Sequence, residues 1–275
     1  MKRLWTKPLS ILAATTLVVT TNISAQEIGV TTQTRLNSTG DIVDVIKLIN
    51  ISGKQRMLSQ RIAKDYLYIG RKVSVSKARK ELDASLSALL EAHNILVKSI
   101  NNPEIQNLLS FVELSIDDFK STANEPFNLD NAQLIIDLSE SMLEGSQYVV
   151  DSLKEKVTTK ESTIVGTSGK QRMLAQRIAK YYIAFQAGIK DKNTVEQMKT
   201  AVKDFATAHK ALMQNSVNTP EINRTLHEID KLWKIVYKFY LNIEKGGLPL
   251  IVFNTTNEIT KKMDKVTKLY VALYK

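Results

Sequence analysis

The segment Ser52-Gly-Lys-Gln-Arg-Met-Leu-Ser-Gln-Arg-Ile-Ala-Lys64 returns as Ser168-Gly-Lys-Gln-Arg-Met-Leu-Ala-Gln-Arg-Ile-Ala-Lys180, with one change, Ser59 against Ala175. A chain that carries such a segment twice is an internal duplication and is expected to fold as two copies of one unit. Elsewhere the copies have diverged while keeping their apolar rhythm, so helix packing alone does not require these residue types. The near-identity of this one segment points to a task beyond folding.

Helical spacing dominates each copy. Ile42, Val45, Ile46, Ile49, Leu58, Ile62, Tyr66 and Ile69 recur at steps of three and four residues, which predicts a long amphipathic helix from near Asp41 to Gly70. A second helix follows through Leu82, Leu89 and Leu96, and a third begins at Pro103 and carries Ile105, Leu109, Val112 and Ile116. The fourth carries Leu134, Ile135, Met142, Val149 and Leu153. In the second copy His209 answers His93, Asn218-Thr-Pro-Glu-Ile222 answers Asn101-Asn-Pro-Glu-Ile105 with one residue inserted, Leu250-Ile-Val252 answers Leu134-Ile-Ile136, and Leu269 answers Leu153. The expected fold is all-α: two tandem up-and-down four-helix bundles related by internal duplication, residues 41–157 and 158–275. Alternating apolar residues and hairpin dipeptides, the marks of β structure, are scarce.

The junction Thr158-Thr-Lys-Glu-Ser-Thr163 sets the arrangement of the two bundles. A turn there makes the motif helices parallel, so that the bundles pair like a dimer fused into one chain. A continuous helix would stack them end to end. Thr and Ser tilt the expectation toward the turn.

Residues 1–25 have the order of a secretory signal peptide: the basic stretch Met1 to Lys7, an apolar run from Leu9 to Val19, and Ile23-Ser-Ala25 before Gln26. Residues 26–40, rich in Thr, Asn and Ser, read as a flexible lead-in. Cleavage near Ala25 or Gln26 would leave a periplasmic or secreted chain that does not span a membrane, since every later helical pattern is interrupted by charged residues or Asn. The formal charge of +10 is partly the leader's own Lys2, Arg3 and Lys7. The remaining excess suits small anions or acidic surfaces, and the absence of basic runs with interleaved aromatics speaks against nucleic acid. With no cysteine, an exported chain has neither disulfides nor thiolate metal sites.

On the first helix Leu58, Ile62, Tyr66 and Ile69 face the bundle, leaving Gly53, Arg56, Met57, Gln60, Ala63, Lys64 and Leu67 on another face. The second copy repeats that face with Gly169, Arg172, Met173, Gln176, Ala179, Lys180 and Ile183. Glycine inside a helix costs about 1 kcal/mol against alanine, so Gly53 suggests close approach by a ligand or a neighbouring helix. Arg56, one turn on, can present a planar fork of donors to an oxyanion. Arg56 and Arg172 meeting across a pseudo-twofold would repel when empty and be bridged by an anion, which is the energetic basis of a sensor. Gln60 and Gln176 could hydrogen-bond a ligand or bridge helices. Arg61 and Arg177, five residues beyond the first arginines, point elsewhere and read as structural, with a secondary claim to the ligand; Lys54, Gln55 and their copies read as solvated surface.

The motif resembles that of the PilJ-type sensory domain, found at the N-terminus of type IV pili chemotaxis transducers, and of its relatives in nitrate and nitrite sensor kinases. The family pattern, Asn-x-Ala/Ser-Gly-x-x-Arg-Met-x-x-x-Arg, is matched by Asn50, Ser52, Gly53, Arg56, Met57 and Arg61, and in the second copy by Ser168, Gly169, Arg172, Met173 and Arg177. The resemblance implies a four-helix bundle with the motif on its first helix. The family's nitrate sensors clamp the anion between the two first helices of a dimer, which implies ligand roles for Gly53, Arg56, Gly169 and Arg172. Gly166 stands where the first copy has Asn50, so the two sites need not be equivalent. The chain stops at Lys275 without the family's usual C-terminal membrane helix and signalling module, so it is expected to report through a membrane-bound sensor or envelope protein.

Other chemistry finds little support. His93 and His209 read as partly buried core residues, and the Glu-x-x-His spacing of di-iron bundles is missing, so neither a metal nor a cofactor is expected. No Ser, His and Asp arrangement or phosphate-binding glycine loop appears, which argues against an enzyme. Two readings remain: a receptor for a small oxyanion, nitrate or nitrite by resemblance, or an adaptor whose Gly-and-Arg face docks a helix of a membrane sensor.

Overall fold

The computed structural model describes residues 39–157 and 159–273. The expected signal peptide lies outside them, as does the lead-in except for Thr39 and Gly40, which already belong to the first helix.

Among the described residues eight α-helices follow one another: α1 (Thr39–Gly70), α2 (Val75–Ser99), α3 (Pro103–Asn124), α4 (Leu129–Lys156), α5 (Lys160–Ala187), α6 (Lys192–Met213), α7 (Pro220–Leu241) and α8 (Pro249–Ala272). A 3-10 turn, Ile243–Lys245, precedes α8. Side-chain caps fix several starts. Asn102 accepts from the Ile105 amide with Pro103 in the first turn, and Thr219 does the same for Ile222 ahead of Pro220. Among the described residues there is no strand, and the fold is the all-α duplication expected from the sequence.

The chain turns at the junction. α4 ends at Lys156, and Thr159 caps α5 in a reciprocal arrangement with Ser162, each side chain taking the other's backbone amide. α4 runs antiparallel to α1: the hydroxyl of Tyr66, near the end of α1, donates to the Pro126 carbonyl, and that of Ser52 donates to the Ser146 carbonyl. The turn then sends α5 back parallel to α1. Among the described helices these two motif helices make the most extensive contact.

The two bundles, α1–α4 and α5–α8, therefore sit side by side and meet through α1 and α5. This explains why both helices are buried on almost every side. Leu58, Ile62 and Tyr66 enter the first bundle while Ala63, Leu67 and Lys64 are covered as well, none of them more than 2% exposed. Each motif helix also reaches the last helix of the opposite bundle: Lys64 Nζ donates to Asn257 at 2.6 Å, and Lys180 Nζ donates to the Ser139 hydroxyl at 2.8 Å.

One alignment of the copies needs correction. Leu134 and Leu250 are both half exposed, whereas Ile135 and Val252 are both fully buried, as are Leu153 and Tyr270. In the folded chain Ile135 answers Val252 and Leu153 answers Tyr270, one position later than apolar matching of Leu134 with Leu250 and Leu153 with Leu269 suggests. The residue inserted before α7 is carried through to α8, and burial rather than side-chain identity sets the register.

Candidate functional site

The two glycines of the motif bring four residues together. Gly53 and Gly169 lie inside α1 and α5, where the helices approach closely. A Cβ on Gly53 would stand 3.2 Å from Arg56 Nη2 and 3.6 Å from Arg172 Nη2. One on Gly169 would stand 3.3 Å from Arg172 Nη2 and 3.8 Å from Arg56 Nη2. The ends of both guanidinium groups thus gather over both glycines on the pseudo-twofold, with each arginine only 1% exposed.

Their partners differ. Arg172 donates from Nη1 to Asp264 Oδ1 on α8 at 2.5 Å and from Nη2 to Asn50 Oδ1 on α1 at 2.8 Å. Arg56 donates from Nη1 to Gln147 Oε1 on α4 at 2.5 Å, while its Nε and Nη2 are buried with no hydrogen-bond partner. The Gln147 amide is held by Asp151, a half-exposed carboxylate that also lies 3.9 Å from Lys154. Burial, and then the neighbouring Arg172 charge, pull the Arg56 guanidinium down to about 10 against the weaker opposing pull of Asp151. Like charges brought together out of water repel, and only Arg172 of the two has a carboxylate to offset this.

Gln60 and Gln176 lie one turn further along and bridge helices. Gln60 Nε2 donates to the Ser139 carbonyl at 2.8 Å, and Gln176 Nε2 donates to Thr260 Oγ1 at 2.7 Å. Each leaves its Oε1 buried and unpartnered. Arg177 is not part of the arginine pair: it grips Glu140 through Nε and Nη2 and reaches Gln197, and Lys180 Nζ shares the same carboxylate at 2.5 Å. Arg61 is half-buried, with its Nε unpartnered. In the first copy the position of Lys180 is taken by Lys64, fully buried beside Asp65 at 3.0 Å, where burial lifts the Asp65 carboxyl to about 6 against the pull of Lys64.

Two expectations need revision. Gln55 and Gln171 are fully buried rather than solvated, because their positions turn into the bundles with Leu58 and Leu174. The Gly-and-Arg face is not a free surface, since each copy covers the other's. His93 and His209 are 3% exposed and sit in the core, with their ring nitrogens unpartnered. Among the described residues no group of His, Asp or Glu is placed to hold a metal ion.

The sequence reading missed Gln147 and Asp264, the residues that make the two arginines different. The offset by one residue in the fourth helix hid their correspondence, and the second-copy Gly166, standing where the first copy has Asn50, was the signal that the halves diverge. A cavity of about 590 Å³ between α6 and α7, bordered by Val202, Ala206, Tyr237, Tyr240, Lys199 and Lys203, shares no residue with the arginine pair.

The fold is a duplicated helical bundle whose first helices meet in a basic, glycine-lined contact. The chain belongs to the PilJ family, described as the type IV pili methyl-accepting chemotaxis transducer N-term, whose profile matches residues 46–141 and 157–246. A sensory or signalling role, rather than catalysis, is what that membership carries at the level of class. No curated protein and no solved structure matches the chain. Among the described residues no helix is long and apolar enough to cross a membrane.

Proposed function

We propose that this protein is an exported receptor that binds one small oxyanion between α1 and α5 and reports it to a partner through the packing of those two helices. The observation that carries the reading is Arg56: a guanidinium 1% exposed, facing a second arginine, with two nitrogens that have no acceptor. An unpaired buried cation costs several kcal/mol, and a planar oxyanion accepting from Nε and Nη2 would offset that cost while screening Arg56 from Arg172. Gly53 and Gly169 leave room beside the nitrogens that a Cβ would take. Because the anion favours one spacing of α1 and α5 over another, its binding energy can drive a helix shift. Family resemblance makes nitrate and nitrite the first candidates.

The adaptor reading loses its surface. Arg56, Gln60, Arg172 and Gln176 are each at most 1% exposed, so a membrane sensor would have to recognise another face. Isothermal titration of the exported chain with nitrate, nitrite and chloride tests the receptor. Saturable binding of an oxyanion that disappears in Arg56→Gln is expected. Failure of both oxyanions to bind overturns the reading.

A further inference from the structure

The two halves of the arginine site carry different charges. At equivalent places on the fourth helix of each copy stand Gln147 and Asp264, and each takes the Nη1 donor of its own motif arginine at 2.5 Å. Asp264 brings a carboxylate to Arg172, whereas Gln147 brings only a neutral amide oxygen to Arg56. The second asymmetry lies across the helix pair. Asn50 on α1 accepts from Arg172 Nη2, but its counterpart on α5 is Gly166, which has no side chain to return to Arg56. The space a Gly166 Cβ would enter is occupied by the Lys154 tail, 2.6 Å away at Cε. Two independent substitutions between the copies thus leave the same guanidinium unsatisfied.

We infer that Arg56 is the one arginine of the pair without a carboxylate on it, that the oxyanion it takes is monovalent, and that Gln147 is the residue that sets this specificity; the inference rests on the receptor reading above. A monovalent anion on Nε and Nη2 of Arg56 balances the one charge that lacks a carboxylate. A second negative charge would have no cation of its own, because Arg172 already pairs with Asp264. Asp264 also holds Lys268 at 2.8 Å but touches Arg172 directly, whereas the Asp151 carboxylate lies behind the Gln147 amide, is half exposed and is shared with Lys154. A receptor made of two identical chains would present equal arginines. The duplication has allowed one half to hold the pair together and the other to take the ligand.

The test titrates nitrate and sulfate, at constant ionic strength, into the parent chain and the near-isosteric exchanges Gln147→Glu and Asp264→Asn. The parent is expected to bind nitrate one to one and sulfate at least about 10-fold more weakly. Gln147→Glu supplies Arg56 with its own carboxylate and should weaken nitrate about 100-fold. Asp264→Asn bares the second arginine and should move the sulfate-to-nitrate ratio at least about 10-fold toward sulfate. Melting in anion-free buffer gives a reading that needs no ligand: Gln147→Glu combined with Asp151→Asn, which removes the carboxylate the new Glu would otherwise face, should raise Tm by several degrees, since it neutralises a buried cation, and Gln147→Met should not. Nitrate affinity unchanged in Gln147→Glu, a lowered Tm in the double variant, or equal binding of sulfate and nitrate by the parent overturns the inference. A parent that binds neither anion instead sinks the receptor reading, and the assignment of a ligand falls with it.

Discussion

Arg172 on α5 donates from Nη2 to the side-chain oxygen of Asn50 on α1 at 2.8 Å, a hydrogen bond from one copy to the other that has no counterpart at Arg56. It ties the second motif arginine into the α1/α5 contact as a structural part. Arg172 is the better satisfied of the two, with Asp264 on its other nitrogen. The motif is duplicated almost letter for letter, yet its two arginines have separate work.

Arginine replacements should therefore differ in stability. Arg56→Gln removes a buried cation without a carboxylate partner, so in anion-free buffer its melting temperature should equal or exceed the parent's. Arg172→Gln takes a partner from Asn50 and leaves Asp264 with Lys268 alone, and should cost about 1–3 kcal/mol. Urea unfolding of both variants checks the contrast. Equal losses would mean that Arg56 has a structural partner after all.

Gly53→Ala separates binding from folding. Alanine is favoured in a helix by about 1 kcal/mol. Its methyl would, however, stand 3.2 Å from Arg56 Nη2 and 3.6 Å from Arg172 Nη2, and the flexible guanidinium ends must move aside. The expected result is unchanged or slightly higher stability with nitrate affinity reduced about 10-fold or more, read by melting and titration of one preparation.

Glu140 is the clearest acid-sensitive group. Burial alone would raise its carboxyl, but the Lys180 and Arg177 charges outweigh that and hold it well below the usual carboxylate range, at about 2. An unfolded glutamate titrates near 4.5, so the folded chain binds fewer protons between the two values. The stability this cluster contributes is present above about pH 4.5 and is lost as the pH falls toward 2. Glu140→Gln should lower stability at pH 7 by about 3 kcal/mol, because Lys180 stays buried without its carboxylate, and should flatten the acid limb of the pH–stability curve.

Thr159→Ala tests the turn between bundles. It removes the side-chain acceptor of the Ser162 amide at 3.2 Å and should cost about 1 kcal/mol. Limited proteolysis of the parent should cut first within residues 157–163, and faster in the variant. Protection of that segment would contradict a break between α4 and α5.

The leader is tested at the protein level. Mass spectrometry of envelope material should find a mature N-terminus near Gln26, and an intact Met1 terminus in the membrane fraction would overturn the assignment of a cleaved signal.

Helix number, the duplication and the motif helix were all legible in the sequence, because they rest on local regularities. The three- and four-residue spacing of Leu82, Leu89 and Leu96 states which face is buried wherever the helix ends up, and Pro103 and Pro220 mark starts through their own backbone geometry. The coming together of Arg56 and Arg172 was also within reach, since a near-identical face repeated in two bundles suggests contact about a twofold. What the sequence could not supply was the partner of each side chain. Gln55 looks like a surface residue until α1 is found packed on all sides, and its burial beside Leu58 depends on helices of the bundle that local spacing does not bring to it. Gln147 and Asp264 are ordinary polar residues on ordinary helices. They matter only because α4 and α8 run antiparallel to the motif helices in a register set by burial, which places an amide against one arginine and a carboxylate against the other. Local spacing determines which helices form and which faces they bury; the charge at the centre of the site is a sum over four helices, and only their packing decides it.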